Sequence, residues 1–312
     1  MGEWSKKVGE MGEAVAADFL RLVGWGAAQH GVELPCARGE AHKNGERERR
    51  THGIDYLLAC KSPLRDGVGH NLVVSVKYSA GSYPANPKGI FKEHFTDLAH
   101  TLECFKNSEV RRAAARGVRG VTKGQDIGVL LWINDDRRGE ADVIGRVSNV
   151  ILPDTLKFDA VYLVDNKRAS FIYDSIDYAG QVEKGCEVTF FYHETGASFN
   201  PELRLHDGTL MPVEYVNSSV LALKIADAAS PRRILMLSTV EPFSQPAVKR
   251  LMGLAQHLSQ GWCSKVILAF ADYSELAHGN QVQEAKGCFS DGKFTAGVEV
   301  RCYDRDFRAV GQ

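Results

Sequence analysis

Two short stretches whose side chains alternate in character, residues 54–60 and 72–79, constrain the fold more than any other feature. In the first, Asp55, Leu57 and Ala59 alternate with Ile54, Tyr56 and Leu58; in the second, Val73, Ser75, Lys77 and Ser79 alternate with Leu72, Val74, Val76 and Tyr78. A period of two belongs to a pleated strand, whose successive side chains point to opposite faces. Ser62, Pro63, Asp66, Gly67 and Gly69 supply turn chemistry between them, so the two strands are expected as neighbours. A helical period lies on either side. Val8, Met11, Val15, Phe19 and Leu22 recur at steps of three and four before Gly24, and Phe91, Phe95, Leu98, Leu102 and Phe105 step by four, three, four and three. Gly9 and Gly12 in the first helix each cost about 1 kcal/mol of helix propensity relative to Ala. With Ala16 and Ala17 they leave room for the helix to press closely on a sheet.

Between these elements a short apolar piece, 31–35, leads into a polar stretch, 37–51. That stretch holds Arg38, Lys43, Arg47, Arg49 and Arg50 among Glu40, Glu46 and Glu48 and reads as an exposed loop or hairpin tip. Residues 127–133 read as a buried strand, and another apolar strand begins near Val161 with the apolar 171–173 close behind. The first half is therefore helix, three strands, helix, strand. Beyond an ambiguous middle, 234–238 reads as a strand, 247–258 as a helix with Val248, Leu251, Ala255 and Leu258 inward, and 265–270 as a strand, a β-α-β unit. The fold class expected is α/β, with a first domain over 1–193 and a second α/β domain over 194–312.

Composition narrows the function classes. Of 312 residues, 44% are hydrophobic and 25% charged, a globular balance that excludes disordered, fibrous and disulfide-rich chains. The first twenty residues hold no apolar core of a signal peptide, and no apolar run approaches the ~18 residues that span a bilayer. A cytoplasmic protein with no membrane association is expected. The seven cysteines, Cys36, Cys60, Cys104, Cys186, Cys263, Cys288 and Cys302, are scattered, with no CxxC and no Cys/His pair at zinc spacing. They read as reduced thiols without chemistry of their own. Net charge is −1, but residues 1–125 carry 19 Lys and Arg against 14 Asp and Glu, leaving 19 against 25 for the rest. A basic front half joined to an acidic back half suits a polyanion at one end and a different partner at the other.

If the two strands are neighbours, Asp55, Ser75 and Lys77 share one face. A carboxylate is a hard oxygen ligand for Mg²⁺, and a nearby ammonium orients water and stabilises charge that builds on a phosphate. That is a phosphodiester hydrolysis site in outline. An Asp and a Lys on adjacent strands also make a plain surface ion pair, and spacing alone does not choose between the two.

The order of elements, with the strings KVGEMGEAVA at 7–16, HGIDYLL at 52–58 and LVVSVKY at 72–78, resembles the PD-(D/E)XK nuclease superfamily over residues 1 to about 133. The resemblance implies a central mixed sheet flanked by helices and a reaction dependent on Mg²⁺ or Mn²⁺. Glu13 is similar to that superfamily's first-helix glutamate, Asp55 to the aspartate opening its second strand, and Lys77 to its lysine. The strings MGEWSKK at 1–7, HGID at 52–55 and DLAHTLECF at 97–105 further resemble the nuclease component of a two-protein bacterial anti-phage system carried on phage-satellite islands. That implies a partner protein encoded beside it and a role in defence.

One position departs from the pattern: Ser75 stands where the superfamily has Asp or Glu. Glu13 is the natural replacement, with the backbone carbonyl of Val76 as a further oxygen. The expected site is then Asp55, Glu13 and Val76 on the metal, with Lys77 positioning or deprotonating the attacking water. His52 is read as a solvent-facing loop residue and Asp97 as a charge on the polar face of the second helix. Arg111, Arg112, Arg116, Arg119 and Lys123, with Arg47, Arg49 and Arg50, are expected to hold duplex DNA through its phosphates.

In the back half GxGxxG, GxxxxGK[ST] and GxSxG are absent, so an interaction or sensing domain is expected there. The expected function is a metal-dependent deoxyribonuclease working with a partner protein. The alternative from another class is a catalytically inactive nuclease-fold subunit that binds nucleic acid or a partner. A purely structural front half is the third reading, and self-association is left open.

Overall fold

The computed structural model describes residues 2–43, 47–136, 142–198, 204–227 and 232–304. The chain forms two compact units, residues 1–170 with 195–204, and residues 171–194 with 205–312. The division falls earlier than the 193 expected from the sequence, with 195–204 belonging to the first unit.

The first unit runs α1 (Gly2–Leu22), β1 (Gln29–Pro35), β2 (Thr51–Lys61), β3 (Val68–Ser79), α2 (Lys88–Phe105), α3 (Glu109–Arg116), β4 (Lys123–Asn134), α4 (Val143–Val147) and β5 (Ala160–Val164), followed by the start of α5 (Asn166–Val182). Its five strands lie side by side in chain order. The pairs β1·β2 and β2·β3 are antiparallel, and β3·β4 and β4·β5 are parallel. This is the mixed, helix-flanked α/β sheet expected from the sequence. Helix α1 lies against the face of β3 that carries Tyr78, close enough that a Cβ added to Gly12 would stand 2.6 Å from the Tyr78 Cβ. The apolar stripe of α2 covers the other face, where Phe91, Phe95, Leu98, Leu102 and Phe105 pack on Leu57, Val73, Leu130 and Trp132.

Local structure adds to the sequence reading at three points. The apolar 171–173 belongs to α5, whose buried positions Phe171, Ile172, Ser175, Tyr178 and Ala179 follow a helical period that three residues alone do not reveal. The basic run follows α2 as a helix of its own: α2 ends at Phe105, and the Ser108 hydroxyl accepts from the Arg111 amide at 3.0 Å to cap a separate α3. The polar stretch 37–51 does join β1 to β2 as a hairpin connection, but it carries His42, which is 1% exposed.

The second unit contains β6 (Glu187–Phe191), β7 (Asp207–Gly208), β8 (Val220–Ala226), β9 (Arg233–Thr239), α6 (Gln245–Ser259), β10 (Lys265–Phe270), α7 (Glu275–Lys286), α8 (Gly292–Ala296) and β11 (Val298–Cys302). Its sheet order is β11-β10-β9-β8-β6-β7. The expected β-α-β unit is present as parallel β9 and β10 joined by α6, and β11 extends it in parallel. Leu235, Leu237, Leu268 and Phe270 pack beneath Val248, Met252 and Ala255 of α6. Among the described residues no helix is long and apolar enough to cross a membrane.

Candidate active site

The ladder between β2 and β3 runs from Lys61↔Gly69 to Tyr56↔Val74 and stops. Beyond that point β3 continues along β4 as far as Ser79↔Asn134, while β2 continues along β1 as far as Thr51↔Pro35. The sheet forks. On the β1 side the register passes from His30↔Tyr56 to Val32↔Ile54, stepping over Gly31 at φ +67°, a left-handed conformation that favours glycine. Asp55 therefore stands at a break in both of its ladders. Its Oδ2 accepts the Val76 amide at 2.6 Å, a side-chain bond where the strand-to-strand bond has ended. In a strand the N–H and C=O of one residue point to the same side, so the Val76 carbonyl opens into the fork as well.

The pleat of β2 does not run undisturbed through this break. Ile54 and Leu57, three residues apart and thus on opposite faces of a regular strand, both join the cluster that includes Leu98. Ser75 and Lys77 share a face of β3, and Asp55 reaches across the fork toward β3. The Lys77 Nζ stands 3.4 Å from Asp97 Oδ2 on α2, and Asp97 Oδ1 accepts from Arg49 Nη1 at 2.5 Å. Arg49 is itself fixed by an Nε bond of 3.0 Å to the Thr51 carbonyl. One turn before Asp97, the His94 ring stands edge-on to Trp132, the β4 partner of Lys77.

The two carboxylates at the fork differ electrostatically. Burial pushes the Asp55 carboxyl up; the Val76 amide, Lys77 and His30 pull it down and Asp97 pushes it up again, leaving it above the ordinary aspartate value. Burial acts on Asp97 in the same direction, but the Arg49 bond and the Lys77 charge outweigh it and hold that carboxyl below the ordinary value. The protein thus compensates the charge of Asp97 and leaves that of Asp55 under-compensated. A carboxylate of the second kind is where a divalent cation gains most. Together with the Val76 carbonyl it could offer an all-oxygen donor set, the kind that hard divalent cations take. Burial and then the Lys77 charge hold the His94 imidazole below its ordinary pKa.

Glu13 comes from the other side of the sheet. Its side chain is exposed, and its backbone carbonyl accepts from the Tyr56 hydroxyl at 3.1 Å, at the last ladder pair before the fork. Burial, and then the charges of Glu13 and Asp55, push the Tyr56 phenol up, so this ring feels both carboxylates.

The arginines of α3 are elsewhere. A Cβ on Gly124 would meet Arg111 Nη2 at 3.2 Å, and Gly124 pairs with Gly69. Gly69 lies eight residues before Lys77, about 26 Å along the strand. Arg111 is also engaged, its Nε donating to both oxygens of the buried Asp126 at 2.8 and 2.7 Å. Arg112, Arg116 and Arg119 are exposed, Arg112 in a surface pair with Glu109. Of the loop arginines, Arg49 is at the fork while Arg47 and Arg50 are exposed.

His52 is not the solvent-facing loop residue expected from the sequence. It lies within β2 at 0% exposure, 3.3 Å from the Thr101 hydroxyl, because β2 begins one residue earlier and runs beneath α2. Burial first and the neighbouring Arg49 second push its imidazole down to about 4. Asp97, expected from the sequence as a solvated charge, is likewise engaged, by Arg49 and Lys77. A signal existed: His94, Asp97, Thr101 and Cys104 step by three, four and three, a second row beside the apolar stripe of α2.

A family model described as the GAPS4 protein PD-(D/E)XK nuclease domain matches residues 1–168. A search among curated proteins finds no match. The matched segment takes in every strand of the forked sheet, from β1 through β5, and more than half of the chain. The chain belongs to this family of PD-(D/E)XK nucleases, a family of anti-phage defence.

Proposed function

We propose that the fork around Asp55 is the catalytic centre of a Mg²⁺-dependent deoxyribonuclease. Membership of the family makes the chain a nuclease, a hydrolase of phosphodiester bonds; the DNA substrate, the metal and the residue roles are our reading. The observation that carries it is the position of Asp55, under-compensated at a break in two ladders and adjoining Lys77 and the Val76 carbonyl. In this reading Asp55, the Val76 carbonyl and Glu13 hold Mg²⁺, or Mn²⁺ in its place. The bound cation supplies Lewis acidity toward the phosphate and its attacking water. Lys77 donates to that water and to the charge that grows on the phosphate, from a position set by Asp97. Arg49 keeps Asp97 in place and closes the hairpin side of the fork. Asp97 is a positioning residue, since both of its oxygens are already taken by cations.

Arg112, Arg116 and Arg119, exposed along the unit, make phosphate contacts away from the scissile bond, while Arg111 braces α3 through Asp126. We assign the nuclease to the first unit, residues 1–170 with 195–204, and an interaction or sensing role, in defence and with a protein encoded beside it, to the second, residues 171–194 with 205–312.

The experiment is a substrate and metal survey. Purified protein, alone and with the neighbouring gene product, is incubated with DNA or RNA in Mg²⁺, Mn²⁺ or EDTA. Cutting of DNA with either metal and none in EDTA is the expected result; cutting of RNA alone overturns the substrate assignment. A second reading rests on Ser75, which gives the fork one carboxylate fewer than the superfamily pattern: a subunit that binds without cutting. DNA binding with no cleavage under any combination selects that reading.

A further inference from the structure

We infer that Cys36, His42, His52 and Cys104 form a structural zinc site, independent of the nuclease reading. One ligand atom from each of the four lies within 4.8 Å of all the others. His42 Nδ1 is 3.5 Å from Cys36 Sγ and 3.5 Å from Cys104 Sγ, and the two sulfurs are 3.9 Å apart. Four ligands on a tetrahedron with Zn–S near 2.3 Å and Zn–N near 2.0–2.1 Å would show edges of about 3.8 Å between sulfurs and about 3.6 Å between sulfur and nitrogen. The sulfurs are too far apart for a disulfide, whose S–S bond is about 2.05 Å.

The outer nitrogens of both imidazoles are already engaged. Glu103 Oε2 lies 3.1 Å from His42 Nε2, so that nitrogen carries the proton and Nδ1 turns a lone pair to the sulfurs. Thr101 donates its hydroxyl to the Asp97 carbonyl at 2.9 Å and so offers a lone pair to His52 Nδ1 at 3.3 Å. His52 Nε2 is then an unprotonated acceptor, and it is buried with no hydrogen-bond partner in a residue at 0% exposure. An orphaned buried acceptor costs about 1–3 kcal/mol, which ligation would remove. Carboxylate and hydroxyl behind ligating histidines are the usual outer shell of a zinc site.

The donor set selects the metal. Two sulfurs and two imidazoles in tetrahedral array suit Zn²⁺ and not the hard Mg²⁺ of the fork. On binding, two thiol protons leave to solvent, and two thiolates with Zn²⁺ and two neutral imidazoles sum to zero charge, as burial requires. All four positions are filled by protein, so the site is structural. It would staple the residue after β1, the hairpin connection and β2 to the last turn of α2. Arg49 lies three residues before one ligand and Asp97 seven before another, so the staple also holds the Arg49–Asp97 contact behind Lys77. The spacing 36, 42, 52, 104 follows no local pattern, which is why the sequence concealed it.

The test is metal content of the full chain purified without chelator, by elemental analysis, with X-ray absorption at the zinc edge. About one zinc per chain in a shell of two sulfurs and two nitrogens is expected. Cys36→Ser with Cys104→Ser should lower zinc at least tenfold, whereas Cys263→Ser and Lys77→Ala should leave it unchanged. Retention of Lys77→Ala zinc separates this site from the nuclease reading. Folded wild-type protein with little zinc that takes up neither Zn²⁺ nor Co²⁺ after thiol reduction overturns the proposal, whether or not the double variant folds. So does a metal shell without sulfur.

Discussion

Asp97 accepts from Arg49 through one oxygen and faces Lys77 with the other, so its loss would leave the lysine unanchored without removing a metal ligand. Asp97→Asn is expected to lower kcat by ~10- to 100-fold with DNA affinity unchanged, as for a group that orients another. Its pH profile provides the test that a merely structural role would not meet. Metal binding needs Asp55 ionised, so the acid limb follows the raised Asp55 carboxyl. Removing the negative charge of Asp97 lowers that carboxyl, and the released Lys77 and Arg49 lower it further; the limb should move to lower pH as the rate falls. The same shift governs stability without metal. Because the folded Asp55 holds its proton above the ordinary aspartate value, its contribution is present at low pH and is lost as pH rises through the folded value. Asp55→Asn should therefore raise Tm in EDTA at neutral pH, a gain that vanishes below the ordinary aspartate range; no gain at neutral pH would contradict the under-compensated site. Strand period and resemblance single out Asp55 and Lys77 in the sequence. Asp97 was hidden because an acidic residue at the edge of an apolar stripe reads as solvated until the arginine facing it, 48 residues earlier, is known.

At the scale of elements, α1 meets the sheet through a glycine. Adding a Cβ at Gly12 places it 2.6 Å from Tyr78 Cβ and 2.9 Å from Cγ, whereas nothing lies within 4 Å of one added at Gly9. Gly12→Ala gains about 1 kcal/mol of helix propensity but overpacks a contact at a cost of about 1–3 kcal/mol, and it lifts the helix that carries Glu13. Calorimetry should show a lowered Tm for Gly12→Ala and, for Gly9→Ala, a gain of about 0.5–1 kcal/mol. Equal shifts for the two would refute close packing at Gly12. The small residues of this helix were read from the sequence as a close-packing face, and so were the apolar stripe of α2 and the paired strands. The fork was not legible, because a broken ladder leaves no mark on side-chain alternation: 54–60 and 72–79 alternate without interruption through the positions where pairing ends. Nor was the gap between α2 and α3, which rests on a single serine cap.

At the scale of the whole molecule, the charge asymmetry was readable from the sequence, but the destination of its arginines was not, since ion pairing with Asp126 and Asp97 consumes two of them. Arg112, Arg116 and Arg119 remain exposed, and their joint replacement by Ser should reduce the salt slope of DNA binding by about 2–3 without changing the metal requirement of cutting. An unchanged slope would remove α3 and the segment after it from the nucleic-acid surface. In our reading the forked sheet cuts. This is tested most directly by comparing wild type, Lys77→Ala and Asp55→Ala on linear and circular DNA in Mg²⁺, alone and with the neighbouring gene product, with folding checked by circular dichroism. Wild-type cleavage should fall by roughly 10²–10³ or more in each variant while the fold is kept. Cleavage by either folded variant at the wild-type rate would contradict it.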